Sequence, residues 1–175
     1  MQIFSNLLSN AVKYTQEGGK IQFLVEECET NSSVYAKYRF LSILQGMRFL
    51  CAEDNGLNAE ILTELLKIES AECTICENGE RVLETFEKSA PGDYDMILMD
   101  VQMPVMNGYE ATKAIRRSSH ELAKTIPIIA MTANSFAEDV QASLDAGMNA
   151  HLSKPIVMDE VIKIILRYVH FDKEY

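Results

Sequence analysis

The sequence predicts an α/β fold in which a five-stranded parallel sheet is covered by helices on both faces, and three observations carry that expectation. Five short apolar runs recur from Met47 onward: Arg48–Ala52, Cys73–Cys76, Met96–Met99, Ile128–Thr132 and Ala150–Ser153. Amphipathic stretches separate them, with apolar residues at helical spacing. The chemically distinctive residues Glu53, Asp54, Asp100, Thr132 and Lys154 all fall where a run stops. Strands alternating with helices imply parallel pairing, and such sheets bind ligands beyond the carboxyl ends of their strands.

In chain order, the first ~45 residues read differently from the rest. Ile3, Leu7 and Ala11, with Phe4, Leu8 and Val12, give an amphipathic helix ending near Tyr14. Glu17-Gly18-Gly19 turns the chain, and Ile21, Phe23 and Val25 alternate as a strand. After the turn signal Thr30-Asn31-Ser32-Ser33, Val34–Leu41 returns as its hairpin partner. One helix and a hairpin bury too little surface to be stable alone, so this segment is expected to dock or to stay loosely ordered. Beyond it, Arg48–Ala52 runs into the acids Glu53 and Asp54. Ile61, Leu65 and Ile68 mark the next helix, and Val82 and Phe86 the one after Cys73–Cys76. Met96–Met99 ends in Asp100, and Asn107-Gly108 favours a turn that starts the following helix. Phe136, Val140 and Leu144, then Val161, Ile165 and Val169, give the last two.

Hydrophobic residues are 47% and charged residues 24% of the 175, ordinary for a globular protein. Net charge is −10, which opposes nucleic-acid binding by simple electrostatics. Residues 1–45 carry four Lys/Arg and four Asp/Glu, so all the excess acidity lies later in the chain. No stretch reaches the ~20 apolar residues of a membrane span, and the start lacks a signal-peptide pattern, so the chain is expected to be cytoplasmic without membrane contact. Cys73 and Cys76 have metal-like spacing, but no second pair completes a site. In a strand they point to opposite faces and, with Cys28 and Cys51, are expected to be packing residues. His120 and His170 are expected to be solvated.

Glu53, Asp54 and Asp100 form a set of hard oxygen donors suited to Mg²⁺, which takes a few carboxylates, waters and phosphate oxygens. Asp54 and Asp100 are expected to ligate directly, Glu53 through water, and a backbone carbonyl just past Asp100 to complete the protein's share. The cation would relieve mutual repulsion among the acids. Asp100 then serves as a nucleophile that takes a phosphoryl group. Lys154 can pair with the phosphoryl oxygens, and the Thr132 hydroxyl can turn towards them.

These residues resemble a known family. Residues 46–171 look like a response-regulator receiver domain, the phosphoacceptor module of two-component signalling. The resemblance implies a flavodoxin-like sheet with strand order 2-1-3-4-5. Glu53 and Asp54 match the acidic pair, Asp100 the phosphorylated aspartate, Thr132 the switch hydroxyl and Lys154 the lysine. Gln102 matches the position whose backbone carbonyl binds metal, and Pro155 follows what is a cis peptide in the family. The run Asp100–Gly108 is most similar to receivers fused to hybrid histidine kinases. His151 stands where the family often has Tyr or Phe as a second switch residue. The resemblance further implies Mg²⁺ as cofactor with Mn²⁺ able to substitute, slow hydrolysis of the aspartyl phosphate, and a histidine kinase or histidine phosphotransfer domain as partner.

Residues 2–15 look like the N-box helix of a histidine-kinase ATP-binding domain, with Asn10 at the Mg-ATP-coordinating position and Asn6 and Lys13 facing the nucleotide. The adenine-holding glycine motif and the lid are missing. Residues 1–43 are therefore expected to be a truncated, vestigial kinase fragment without ATP binding, and output to pass through another chain. Two other readings compete: an ATP-dependent hybrid sensor histidine kinase as the parent protein, and a stand-alone aspartate-nucleophile phosphatase. Gln102 opposes the latter, because phosphatases of the haloacid-dehalogenase type need an acid two residues after the nucleophile.

Overall fold

The computed structural model describes residues 23–30, 33–40, 44–133 and 137–168. The helix expected before Tyr14 lies outside them, as do Phe136, Val169 and His170. The chain divides into two compact units, Met1–Ser42 and Ile43–Tyr175. In the first, strands β1 (Phe23–Thr30) and β2 (Ser33–Phe40) pair antiparallel, with Phe23 opposite Phe40 and Thr30 opposite Ser33. This is the hairpin expected from the alternation and the intervening turn signal.

The second unit contains β3 (Arg48–Ala52), α1 (Gly56–Ile68), β4 (Glu72–Cys76), α2 (Gly79–Lys88), β5 (Met96–Asp100) and α3 (Gly108–Arg117). It continues with β6 (Ile128–Thr132), α4 (Ala137–Ala146), β7 (Ala150–Ser153) and α5 (Met158–Tyr168). The strands are parallel in the order β4-β3-β5-β6-β7, which is 2-1-3-4-5 counted within the sheet. The expected flavodoxin-like fold is the fold observed.

Successive strand residues point to opposite faces, and both faces are buried. On one, Leu50, Ile97, Met99 and Ile128 pack with Val82 and Phe86 of α2 and with Ala111 and Ile115 of α3. On the other, Phe49, Leu98, Ile129 and Met131 pack with Leu62 and Leu66 of α1 and with Val161 and Ile165 of α5. Each large side chain so buried stabilises the fold by roughly 1.5–3 kcal/mol against leaving it in water. Cys73 joins one cluster and Cys76 the other, as the strand alternation requires.

Helix α1 departs from its expected facing. Its buried residues are Leu62 and Leu66, while Ile61 and Ile68 are 49% and 75% exposed. Two apolar stripes lie one residue apart on this helix, and periodicity alone does not say which one the sheet takes. In α4, likewise, Leu144 is exposed while Ser143 is buried, its hydroxyl donating to the Asp139 carbonyl at 2.9 Å. His120 also differs from expectation. Its Nε2 lies 3.1 Å from the Ser89 carbonyl, its Nδ1 accepts from Leu122 N–H, and its ring tilts against Phe86 at 4.2 Å.

Asparagines start three helices that flank the carboxyl ends of the strands. Asn55 accepts from Leu57 and Asn58 N–H, Asn78 from Arg81 N–H, and Asn107 forms a capping box with Glu110. At the opposite end Arg116 donates to the carbonyls of Gly147, Ala123 and Ile126 and to Asn149 Oδ1. Asn149 Oδ1 also accepts from Ile128 N–H, so this cluster fixes where β6 and β7 begin.

Candidate functional site

The strand order reverses beside β3, where β4 lies to one side and β5 to the other. A crevice opens beyond the strand ends at such a point. Glu53 and Asp54 follow β3, and Asp100 ends β5, so the topology brings all three to its mouth. One oxygen from each lies within 4.8 Å of the others. Glu53 and Asp100 are buried and Asp54 is exposed.

Lys154 joins them from the end of β7. Its backbone N–H donates to the Thr132 carbonyl at 2.8 Å, and the Lys154–Pro155 bond is cis. Its ammonium donates to Glu53 Oε2 and to Asp100 Oδ2, both at 2.6 Å. Burial pushes the Asp100 carboxyl above its ordinary range; the hydrogen bond and charge of Lys154 oppose this without cancelling it. Burial also disfavours the Lys154 ammonium, but the hydrogen bonds to Asp100 and Glu53 outweigh it and hold its pKa above the usual value. The lysine thus stays charged between two acids.

The loop after Asp100 is closely tied down. Gln102 N–H donates to Asp100 Oδ1 at 3.2 Å, and Gly108 N–H to the Val101 carbonyl at 3.0 Å. Gly108 lies so close to the Asp100 carbonyl that an added Cβ would overlap that backbone oxygen. Beside the acids a cavity of about 420 Å³ is lined by Asp54, Gln102, Tyr109, Thr132 and Asp139, among others.

Of the residues singled out in the sequence, Glu53, Asp54, Asp100 and Lys154 converge, and Thr132 and Gln102 line the adjoining cavity. His151 is half-buried on β7 opposite Ala130. Asn6, Asn10 and Lys13 lie outside the described residues. Two participants escaped the sequence reading. Tyr109, in the first turn of α3, forms part of the cavity wall, and its hydroxyl donates to the Asp139 carbonyl at 3.4 Å. Asn58, in the first turn of α1, donates through Nδ2 to Glu53 Oε1 at 3.1 Å. The spacing Asn55-x-x-Asn58 directly after the acidic pair was the available signal.

The donor set consists of hard carboxylate oxygens with one exposed member, and it fits Mg²⁺ far better than a thiophilic metal. A carboxylate bonded to a fixed ammonium, with a buried hydroxyl lining the adjoining cavity, fits chemistry on a phosphoryl group.

Comparison with known proteins agrees with this geometry. The family profile described as the response regulator receiver domain matches residues 49–166. Probable histidine kinase 2 of Oryza sativa is 35% identical over 133 residues, covering 70% of this chain and 13% of the rice protein. Hybrid signal transduction histidine kinase G of Dictyostelium discoideum is 37% identical over 134 residues, covering 75% of this chain and 4% of its own length. The chain therefore spans only a small part of these relatives. Among solved structures, the receiver domain of sensor histidine kinase PA1611 from Pseudomonas aeruginosa has a magnesium ion in its active-site cleft. It is 36% identical with a TM-score of 0.63, over 70% of this chain and 97% of that one. A chain of the Saccharomyces cerevisiae complex between the histidine phosphotransfer protein Ypd1 and the receiver domain of Ssk1 is 28% identical. Its TM-score is 0.62, over 72% of this chain and 90% of that one.

Proposed function

This chain belongs to the response regulator receiver family, the module of two-component phosphorelays, and on that premise we propose that Asp100 is its phosphoacceptor. The observation that carries the reading is the Lys154 ammonium held at 2.6 Å from both Asp100 and Glu53, with Asp54 alongside. An Asp100 oxygen attacks the phosphorus of a phosphohistidine; the P–O bond forms as the P–N bond breaks, and the imidazole leaves. Lys154 then pairs with a phosphoryl oxygen, and the Thr132 hydroxyl donates to another. Drawing Thr132 inward shifts the surface of the last helices between two states that report the phosphoryl group, with His151 as a second switch position. Asp54, Asp100 and the Gln102 carbonyl would hold Mg²⁺, with Glu53 reaching it through water; the cation would supply neutralisation of phosphoryl charge, and Mn²⁺ would substitute.

The donor is a histidine kinase or a histidine phosphotransfer domain. Support comes from the likeness to the Ypd1–Ssk1 complex and from Leu57 and Ile61 of α1, exposed close after Asp54. The receiver spans 46–171 and is part of a hybrid sensor histidine kinase; the similarity to hybrid signal transduction histidine kinase G of Dictyostelium discoideum supports this. Residues 1–43, with Asn6, Asn10 and Lys13, are a vestigial kinase piece that does not hold ATP. No helix among the described residues is long and apolar enough to cross a membrane, in keeping with a cytoplasmic site of action.

Incubating the chain with acetyl phosphate and Mg²⁺, followed by intact mass measurement, tests the reading. One phosphoryl group is expected, absent in Asp100→Asn and diminished by a chelator. Labelling that survives in Asp100→Asn would sink it.

A further inference from the structure

Glu53 is buried at the floor of the acidic cluster, and both of its oxygens are engaged. Oε2 accepts from the Lys154 ammonium at 2.6 Å. Oε1 accepts from Asn58 Nδ2 at 3.1 Å and from the Asn55 backbone N–H at 3.3 Å. A carboxylate only accepts hydrogen bonds, so the Asn58 amide must present its NH₂ group. That amide is itself placed by the start of α1, because Asn55 Oδ1 caps the helix by accepting from Leu57 and Asn58 N–H. The first turn of α1 has no acidic residue of its own, and Glu53 brings a negative charge to that helix end.

These contacts differ in what happens when a divalent cation enters. Lys154 is shared between Glu53 and Asp100, so a cation held by Asp100 directly and by Glu53 through water would compete with it at both carboxylates. The Asn58 amide is neutral and sits on Oε1, away from that competition. Among the described side chains, it alone then still holds Glu53 in place while Oε2 exchanges partners. We infer that Asn58 is a positioning residue for the cation site, keeping Glu53 aimed at the cation's water shell as Lys154 turns away.

The inference rests on the phosphoacceptor reading, and cation affinity tests it without recourse to phosphorylation. Binding of Mn²⁺ to the full 175-residue chain is followed by the electron paramagnetic resonance signal of the free ion. Asn58→Ala and Asn58→Leu are each expected to raise the Kd about tenfold, the low end of the cost of removing an outer partner of a metal ligand. In a Glu53→Gln background, adding Asn58→Ala should change Kd by less than about twofold, because the amide acts through that carboxylate. Ala is a better helix former than Asn, which offsets part of the lost hydrogen bond to Glu53, so thermal stability should fall only slightly in Asn58→Ala while affinity falls about tenfold. A merely structural role would lower both together. An unchanged Kd in both Asn58 variants, or an equal loss in the Glu53→Gln background, overturns the inference alone. Absence of saturable Mn²⁺ binding by the unmutated chain overturns the cation reading and this inference with it.

Discussion

At Cys73 opposing influences meet on one sulfur. The Cys51 thiol beside it favours the thiolate, partial burial disfavours it, and Thr63 Oγ1 lies 3.6 Å away; the balance brings its pKa down to about 7. Cys51 is fully buried and pushed well up by that burial, and Cys76 is raised for the same reason. Thiolate is the reactive form, so Cys73 should alkylate ahead of the other two. With iodoacetamide, the labelling rate at Cys73 is expected to rise with pH around a midpoint near 7, as read by peptide mass. A first label on Cys51 or Cys76, or a midpoint near the ordinary thiol value of 9.0, would refute this. The alternation of a strand was enough to put Cys73 and Cys76 on opposite faces. Which sulfur ionises was not legible, because it depends on Cys51 in the neighbouring strand and Thr63 on the helix above.

At the scale of elements, the segment from Asp100 to α3 is where packing and chemistry constrain each other most. Gly108 begins the helix, donates to the Val101 carbonyl and leaves no room for a Cβ against the Asp100 carbonyl and Met99. Gly108→Ala must therefore move backbone at Asp100 itself. A cost of about 1–3 kcal/mol in urea unfolding is expected, as for other overpacked positions, together with weaker Mn²⁺ binding. Unchanged stability would show that the loop has slack the packing does not suggest. Asn107-Gly108 advertised this turn, and the apolar runs placed all five strands of the sheet with their terminal acids, because buried strands and strand-end turns leave local composition signals. Helix α1 shows where such signals stop. Leu57, Ile61, Leu62, Leu65, Leu66 and Ile68 satisfy helical spacing on more than one face, and only contact with the sheet decides that Leu62 and Leu66 go inward. The roles of Asn58 and Tyr109 were hidden for a similar reason. Each is defined by a partner on another element, Glu53 in one case and Asp139 in the other.

For the molecule as a whole, the unit Ile43–Tyr175 contains everything the proposed site uses, from Glu53 to Lys154. Its sheet is closed on both faces by its own helices, and the buried side chains form one cluster on each. A domain of this size buries about two thirds of the surface its unfolded chain exposes, enough for independent stability. It also carries all the excess negative charge of the sequence, concentrated by the acids around Asp100 and offset there, among the described residues, by Lys154. Divalent cation should therefore stabilise the unit as well as bind to it, since a ligand that prefers the native state shifts unfolding by mass action. Residues 43–175 produced on their own are expected to unfold in one cooperative urea transition, with a slope of about 1–3 kcal/mol/M. They should bind Mn²⁺ within about twofold of the full chain, as independent parts do, and saturating Mg²⁺ should move the midpoint to higher urea in unmutated protein more than in Asp54→Ala. A broad, non-cooperative transition would mean that residues 1–42 supply part of this core, whereas an equal shift in Asp54→Ala would place the stabilising cation somewhere other than the acids.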